Sequence, residues 1–211
     1  MSDAERRLDG LPGPVRPRRP EDFDSLYEGT PAWDIGRPQP AFLELAESGQ
    51  IRGLVLDVGC GTGEHALMAA GLGLDATGID AAPSAIARAE GKARERCISA
   101  RFLVWDALNL ASLREHFDTV LDCGLFHVLE DDDRARYVES LQSVVLAGGT
   151  FHMLCFSNHQ PGDWGPRRIA PEEITTSFSQ GWRVDLIEPA KIEITINPEG
   201  AIAWHASITR V

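Results

Sequence analysis

Leu54-Val55-Leu56-Asp57-Val58-Gly59-Cys60-Gly61-Thr62-Gly63 is the stretch on which the fold turns. Apolar residues surround a single Asp57 and run straight into alternating glycines. A short, continuous apolar run of this kind reads as a strand covered on both faces of a parallel sheet. The glycines permit a tight turn into a helix and let a ligand approach the main chain with no Cβ in the way. The spacing is G-x-G-x-G. The dinucleotide fingerprint G-x-G-x-x-G needs its third glycine where Glu64 stands.

Working outward, helical spacing is expected over residues 65–72, a second strand over 75–79, and a helix over 83–96 with Pro83 in its first turn. Strands follow at 102–105 and 117–121, then a long amphipathic helix at 131–146. A fifth strand at 150–156 comes after a stop at Gly148-Gly149. This alternation favours a doubly wound α/β fold around a parallel sheet. The ending differs: a helix at 171–180 precedes β-rich stretches at 183–196 and 201–211. Asn197-Pro198-Glu199-Gly200 is the turn signal between them, which predicts a terminal antiparallel hairpin. Upstream, a short helical pattern covers 41–47.

In an open α/β sheet ligands bind beyond the carboxyl ends of the strands, so residues just after each strand carry the information. The second strand ends in Asp80, where a carboxylate can accept both hydrogen bonds of a ribose diol. The third ends in Trp105-Asp106, an acceptor for an exocyclic amine beside an apolar wall. Each of these carboxylates has a plainer alternative as a helix cap, but their register along three strands argues against coincidence.

With these motifs in this order the chain resembles the class I methyltransferases that use S-adenosylmethionine (SAM), over residues 22–211. The resemblance implies a Rossmann-like methyltransferase fold, with a mostly parallel seven-stranded sheet closed by the antiparallel hairpin. It further implies that Asp57, Gly59, Cys60, Gly61 and Gly63 hold the methionine end of SAM. Asp80 with Ala81 would meet the ribose, Asp106 with Ala107 the adenine, and Asp122 would lie beside the reactive methyl. The segment Thr30-Pro31-Ala32-Trp33-Asp34-Ile35-Gly36-Arg37-Pro38-Gln39-Pro40 is similar to a T-P-W-D-x-G-R-x-x-P stretch of thiol and halide methyltransferases, relatives of the thiopurine and tellurite-resistance enzymes. Ala32 is an insertion in that pattern. The similarity implies that residues 21–47 cover the cofactor, with Trp33 and Arg37 near its methionine portion. The alternative is a Trp33 that staples the segment to the core.

After the fourth strand, Asp122-Cys123-Gly124-Leu125-Phe126-His127 offers Phe126 as a wall for an aromatic acceptor and His127 as a possible general base. A histidine at such a corner is equally a structural residue. Residues 157–168, with Trp164, Arg167 and Arg168, read either as a second lid or as an ordinary loop. Asp122 has no companion carboxylates in ligand spacing, so metal-assisted chemistry is not expected.

The 211 residues suit one domain, here 21–211 behind a flexible arm at 1–20. A net charge of −12 opposes nucleic acid, and the basic cluster Arg16-Pro17-Arg18-Arg19 reads as part of the mobile arm. No signal peptide or membrane span is expected, which points to the cytoplasm. The four cysteines lack a C-x-x-C pair and read as buried free thiols. The expected partner is a small-molecule methyl acceptor, most simply an aryl thiol, with nitrogen or hydroxyl acceptors as the alternative. Monomer and homodimer both stay open. The rivals are an NAD-dependent oxidoreductase and a SAM-binding protein without catalysis.

Overall fold

The computed structural model describes residues 20–211. The arm expected at its start therefore lies, up to residue 19, outside the described residues. Seven strands form one sheet in the order β3-β2-β1-β4-β5-β7-β6. They are β1 (Leu54–Val58), β2 (Asp75–Asp80), β3 (Arg101–Val104), β4 (Phe117–Cys123), β5 (Val145–Phe156), β6 (Trp182–Ile194) and β7 (Asn197–Arg210). β1 to β5 pair in parallel, and β7 runs antiparallel between β5 and β6. The helices are α1 (Pro20–Leu26), α2 (Pro40–Glu47), α3 (Glu64–Gly71), α4 (Pro83–Arg96), α5 (Asp131–Gln142) and α6 (Pro171–Ser177). This is the doubly wound architecture with an antiparallel end that the sequence predicts.

Alternate residues of the central strands feed opposite layers of core, as the two-residue period of a strand requires. Leu56 and Val58 join Tyr137, Leu141, Ile174 and Phe178 beneath α5 and α6. Val55 joins Phe42, Leu45 and Ala69 beneath α2 and α3. A smaller cluster of Leu67, Ile86, Ala89 and Phe102 locks α3 and α4 together.

Three boundaries depart from the sequence reading, each for a local reason. The helix expected to reach residue 146 ends at Gln142, and β5 begins at Val145. Gly148-Gly149 lies inside that strand, where its register against β4 shifts, because a Cβ on Gly149 would stand 2.8 Å from the Leu146 carbonyl oxygen. The hairpin turn falls on Thr195 and Ile196 rather than on 197–200. Asn197-Pro198-Glu199-Gly200 instead makes an irregularity within the ribbon: Asn197 Nδ2 donates to the Gly200 carbonyl at 2.7 Å and Gly200 takes φ +71°. The helix expected to run to 180 stops at Ser177, and Phe178 turns into the core.

The third glycine of the loop serves this packing. Gly63 has φ +84°, and a Cβ there would lie 2.6 Å from the Phe102 ring and 2.8 Å from Ala89. Gly63→Ala should therefore destabilise the fold by about 2–4 kcal/mol, strain and overpacking combined. Urea unfolding would measure the loss, and a change below about 1 kcal/mol would mean that α3 and α4 can part freely.

Candidate active site

The carboxyl ends of β1, β2 and β4 each carry an aspartate whose oxygens accept main-chain N–H groups. Asp57 is buried and accepts from Ala66 N at 3.1 Å. His65 Nδ1 stands 3.9 Å from Asp57 Oδ1, while His65 Nε2 accepts the Gln39 N–H at 3.2 Å. That bond places the imidazole proton on Nδ1, facing the carboxylate. Burial pushes Asp57 up to about 7 and His65 down to about 4.

Asp80 accepts from Gly61 N (2.8 Å) and from Ala82 N (2.9 Å), and burial again raises its pKa. Each oxygen keeps a further lone pair for a ligand. Asp106 is exposed and caps the 3₁₀ turn Ala107–Leu113 by accepting from Leu108 N at 2.9 Å, with Oδ2 left over. Capping and ligand acceptance are thus compatible at both positions. Trp105, half-buried, donates from Nε1 to the Asn109 carbonyl at 3.1 Å. Gly61 has φ +52°, and a Cβ on it would reach within 2.9 Å of the Tyr27 hydroxyl, so the loop offers bare backbone to whatever sits above it. Cys60, between these glycines, is buried with Sγ 3.6 Å from the Gly61 carbonyl oxygen. Gly59 turns beneath Leu125, which a Cβ would approach to 3.2 Å.

The corner after β4 places three of the expected site residues in the interior. Asp122 is fully buried and held by three bonds: Oδ1 accepts from Leu125 N at 2.7 Å, and Oδ2 from Phe126 N at 3.1 Å and the Tyr137 hydroxyl at 3.0 Å. Burial lifts it to about 7, and its bonds shape the corner. Phe126 lines no cleft. Its ring is buried against Phe178 at 5.9 Å, with the Arg134 guanidinium 4.7 Å above its face. His127 is buried too, and its Nδ1 accepts the Phe156 N–H at 2.8 Å. Its single lone pair is consumed, so Nε2 carries the proton. Burial, helped by the charges of Arg134 and Arg168, drives its pKa down to about 3. This geometry makes His127 a main-chain bracket and does not fit a general base.

Residues 157–168 form a wall. The Arg168 guanidinium donates to the carbonyls of Trp164 and Pro166 (2.6 Å each), Gly162 (3.0 Å), Gln160 and Pro161 (3.4 Å each), and lies over the rings of Phe156 and Trp164. Arg167 ties the wall's base to Asp131 and Glu173.

Residues 27–39 form a strap across α4, the glycine loop and the β6–β7 ribbon. Trp33 is 43% exposed, and its Nε1 donates to the Tyr27 hydroxyl at 3.2 Å. Arg37 Nη1 pairs with Glu193 Oε2 at 2.5 Å. Gln39 exchanges two hydrogen bonds with the Glu193 main chain, and the inserted Ala32 offers its carbonyl to Thr195 N at 2.8 Å. On its other flank the strap meets α4. Arg88 donates to the Tyr27 and Gly29 carbonyls, and Lys92 to Thr62 at 2.6 Å, whose hydroxyl donates to Asp34 at 2.9 Å, while Ser84 N donates to Asp24 of α1 just before the strap. The sequence reading missed Tyr27, Asp34, Thr62, Arg88 and Lys92. The spacing of Ser84, Arg88, Lys92 and Arg96, four residues apart on one helix face, is the signal that could have found them.

Among the described residues no three His, Cys, Asp or Glu side chains group to hold a metal ion, and no helix is long and apolar enough to cross a membrane. All four cysteines are free. Cys60 and Cys155 are buried, Cys123 is half-buried, and Cys97, expected inside, is exposed at the end of α4.

A family model described as a methyltransferase domain matches residues 55–149. The chain is 36% identical to the 2-heptyl-1-hydroxyquinolin-4(1H)-one methyltransferase of Mycobacteroides abscessus, over 81% of this chain and 80% of that one. It is 25% identical to probable thiol methyltransferase 2 of Arabidopsis thaliana, over 71% and 67%. A solved structure described as "Conversion of a Disulfide Bond into a Thioacetal Group during Echinomycin Biosynthesis" superposes with a TM-score of 0.82 at 35% identity, covering 91% of this chain and 93% of that one.

The His127 bracket has a pH signature. The folded pKa lies below the unfolded value of 6.5, so the unfolded state binds the extra proton and stability is lost as pH falls from 6.5 towards 3. His127→Asn can keep an acceptor for the Phe156 N–H without titrating. Compared with that variant, the native protein should lose up to about 2 kcal/mol more on going from pH 7 to pH 5. His127→Ala, which orphans the N–H, should cost about 1–3 kcal/mol at pH 7, and less as the native protein weakens in acid. Parallel denaturation curves for the native protein and His127→Asn at the two pH values would count against the bracket.

Proposed function

The chain belongs to the SAM-dependent methyltransferases that act on small molecules, and from that premise we propose that its acceptor is a small heteroaromatic compound whose nucleophile ionises unaided, a thiol first and an acidic ring hydroxyl second. The observation that carries the reading is the engaged lone pair of His127, beside a fully buried Asp122 that is bonded to main chain and to Tyr137. His127 has no free lone pair to offer, so an acceptor that must be deprotonated by it would be poorly served. The relatives agree in kind: one is named for a hydroxyquinolone, one for thiols.

The residues fit the cofactor. Gly61 leaves a cradle that a side chain would fill, and Asp80 and Asp106 each keep an unused acceptor. Asp80 with Ala81 would hold the ribose, Asp106 with Ala107 the adenine, and the 59–63 loop the methionine portion. Asp57 and Asp122 act from beneath by fixing main chain. Trp33 would close over the methionine portion, and Arg37 would reach its carboxylate by exchanging Glu193. When bound, SAM supplies a methyl group already activated as an electrophile. The chain's own task is alignment and exclusion of water: the strap covers one side, the Arg168 wall the other, and the acceptor is held between them. Residues 21–211 would act as one domain, and the net charge of −12 favours small acceptors over polymeric anions.

Two measurements test this. In a series of aryl thiols and hydroxyquinolines, the pH midpoint of turnover should follow the pKa of each acceptor one for one. A midpoint fixed across the series would reveal a protein base and overturn the reading. Separately, Asp80→Ala should weaken binding of SAM by about 1.5–3 kcal/mol, the range for a charged hydrogen bond. Calorimetry giving native affinity in a folded variant would remove Asp80 from the cofactor seat.

A further inference from the structure

The cationic face of α4 reaches both the glycine loop and the strap, and one side chain touches both. Lys92 Nζ donates to Thr62 Oγ1 at 2.6 Å and to Glu64 Oε1 at 2.8 Å, and stands 3.7 Å from Asp34 Oδ1. The Thr62 hydroxyl passes the polarity on, donating to Asp34 Oδ1 at 2.9 Å. Ammonium, hydroxyl and carboxylate thus form one directed chain of charge-assisted bonds from helix through loop to strap. Glu64 does not depend on Lys92 alone, because Arg96 grips both of its oxygens at 2.7 and 2.9 Å. Structural neutralisation of Glu64 is therefore already supplied, and Lys92 is left as the cation that orients the Thr62 hydroxyl towards Asp34 and stands beside that carboxylate.

The position of that junction matters. Thr62 lies between Gly61, whose open side faces the Tyr27 hydroxyl, and Gly63, which is clamped by Phe102. Asp34 follows Trp33, whose indole N–H is held by the same Tyr27 hydroxyl. Beyond Asp34 the strap passes to the β6–β7 ribbon through Arg37 and Gln39. Movement of Thr62 is felt at Asp34 and so along the whole strap.

We propose that Lys92 is a positioning residue that couples the glycine loop to the strap through Thr62 and Asp34, so that the strap is held over bound SAM. The inference rests on the reading of residues 59–63 as part of the cofactor seat. Lys92 touches no reacting atom. Its effect is to fix Trp33 and the neighbouring backbone where they close the site.

The test uses the full chain and the demethylated cofactor as ligand, so no acceptor need be known. Lys92→Met and Asp34→Ala should each weaken binding about five- to tenfold, the size of one charge-assisted bond partly transmitted. The double variant should be no weaker than either single one, because both break the same chain. Lys92→Arg should recover most of the affinity. Hydrogen exchange at residues 27–37 should quicken in Lys92→Met in the presence of ligand, while thermal midpoints report the fold separately. Native affinity in Lys92→Met, or effects that simply add, would overturn the coupling: Lys92 would then be a partner of Glu64 alone. Failure of the ligand to protect residues 57–63 in the native protein would instead bring down the cofactor seat, and the coupling with it.

Discussion

Carboxylates bonded to main-chain N–H groups, two of them fully buried and one partly, hold the carboxyl edge of the sheet together. Asp57, Asp80 and Asp122 end three neighbouring strands, and each uses its oxygens to turn the chain that follows. Burial without those bonds would be prohibitive, since an unpaired carboxylate costs several kcal/mol even after relaxation. With them, the turns are fixed and the loop glycines can pack closely against Leu125, Tyr27 and Phe102. The high pKa values of Asp57 and Asp122, both near 7, record the remaining cost. Their native forms hold protons that the unfolded chain releases above about 4, so their contribution falls as pH rises from there towards 7. His127, His65 and His152, held near 3 to 4, act in the opposite sense below 6.5. The two sets partly cancel, which leaves the edge less sensitive to mild acid than either would be alone.

The parts of this edge that were legible in the sequence are those with local causes. A continuous apolar run ending in glycines can only be a buried strand and a tight turn, and Pro83 can open a helix because its missing N–H is not needed there. Both ends of α4 fall where the sequence places them. The hairpin was legible as a hairpin and misplaced as a turn. Asn197 and Gly200 carry turn chemistry, but Asn197 is already paired with Ile194, so the same residues make a bulge. Gly148-Gly149 misled in a similar way, marking a kink within β5 and not its start.

The roles at the β4 corner were illegible for a different reason. Nothing local distinguishes a histidine with a free lone pair from one that brackets a strand. The partner of His127 is the main chain of Phe156, distant in sequence and set only by the register of β4 against β5. Phe126 likewise follows from which face of the corner meets α6, a tertiary fact. The α4 stripe lies between these cases. Its four-residue spacing is plain in the sequence, yet its meaning depends on the strap that lies across it.

Wall and strap differ in what holds them, and that difference bears on how a small acceptor enters. The wall is knit internally: one guanidinium satisfies five carbonyls and stacks on two buried aromatic rings, so opening it would expose apolar surface and orphan several acceptors together. The strap is held mainly by polar bonds to three separate elements, α4, the glycine loop and the β6–β7 ribbon, with Tyr27 as its chief buried aromatic anchor. Segments with few buried apolar contacts and exposed hydrogen bonds have the lowest local opening free energies. Passage to the site is therefore expected beneath the strap, with the wall as the fixed surface against which an acceptor is sized. Under the proposed base-free reading, selection rests on two grounds that the wall and strap can supply, fit against a rigid surface and retention long enough for alignment. Proton affinity is left to the acceptor itself.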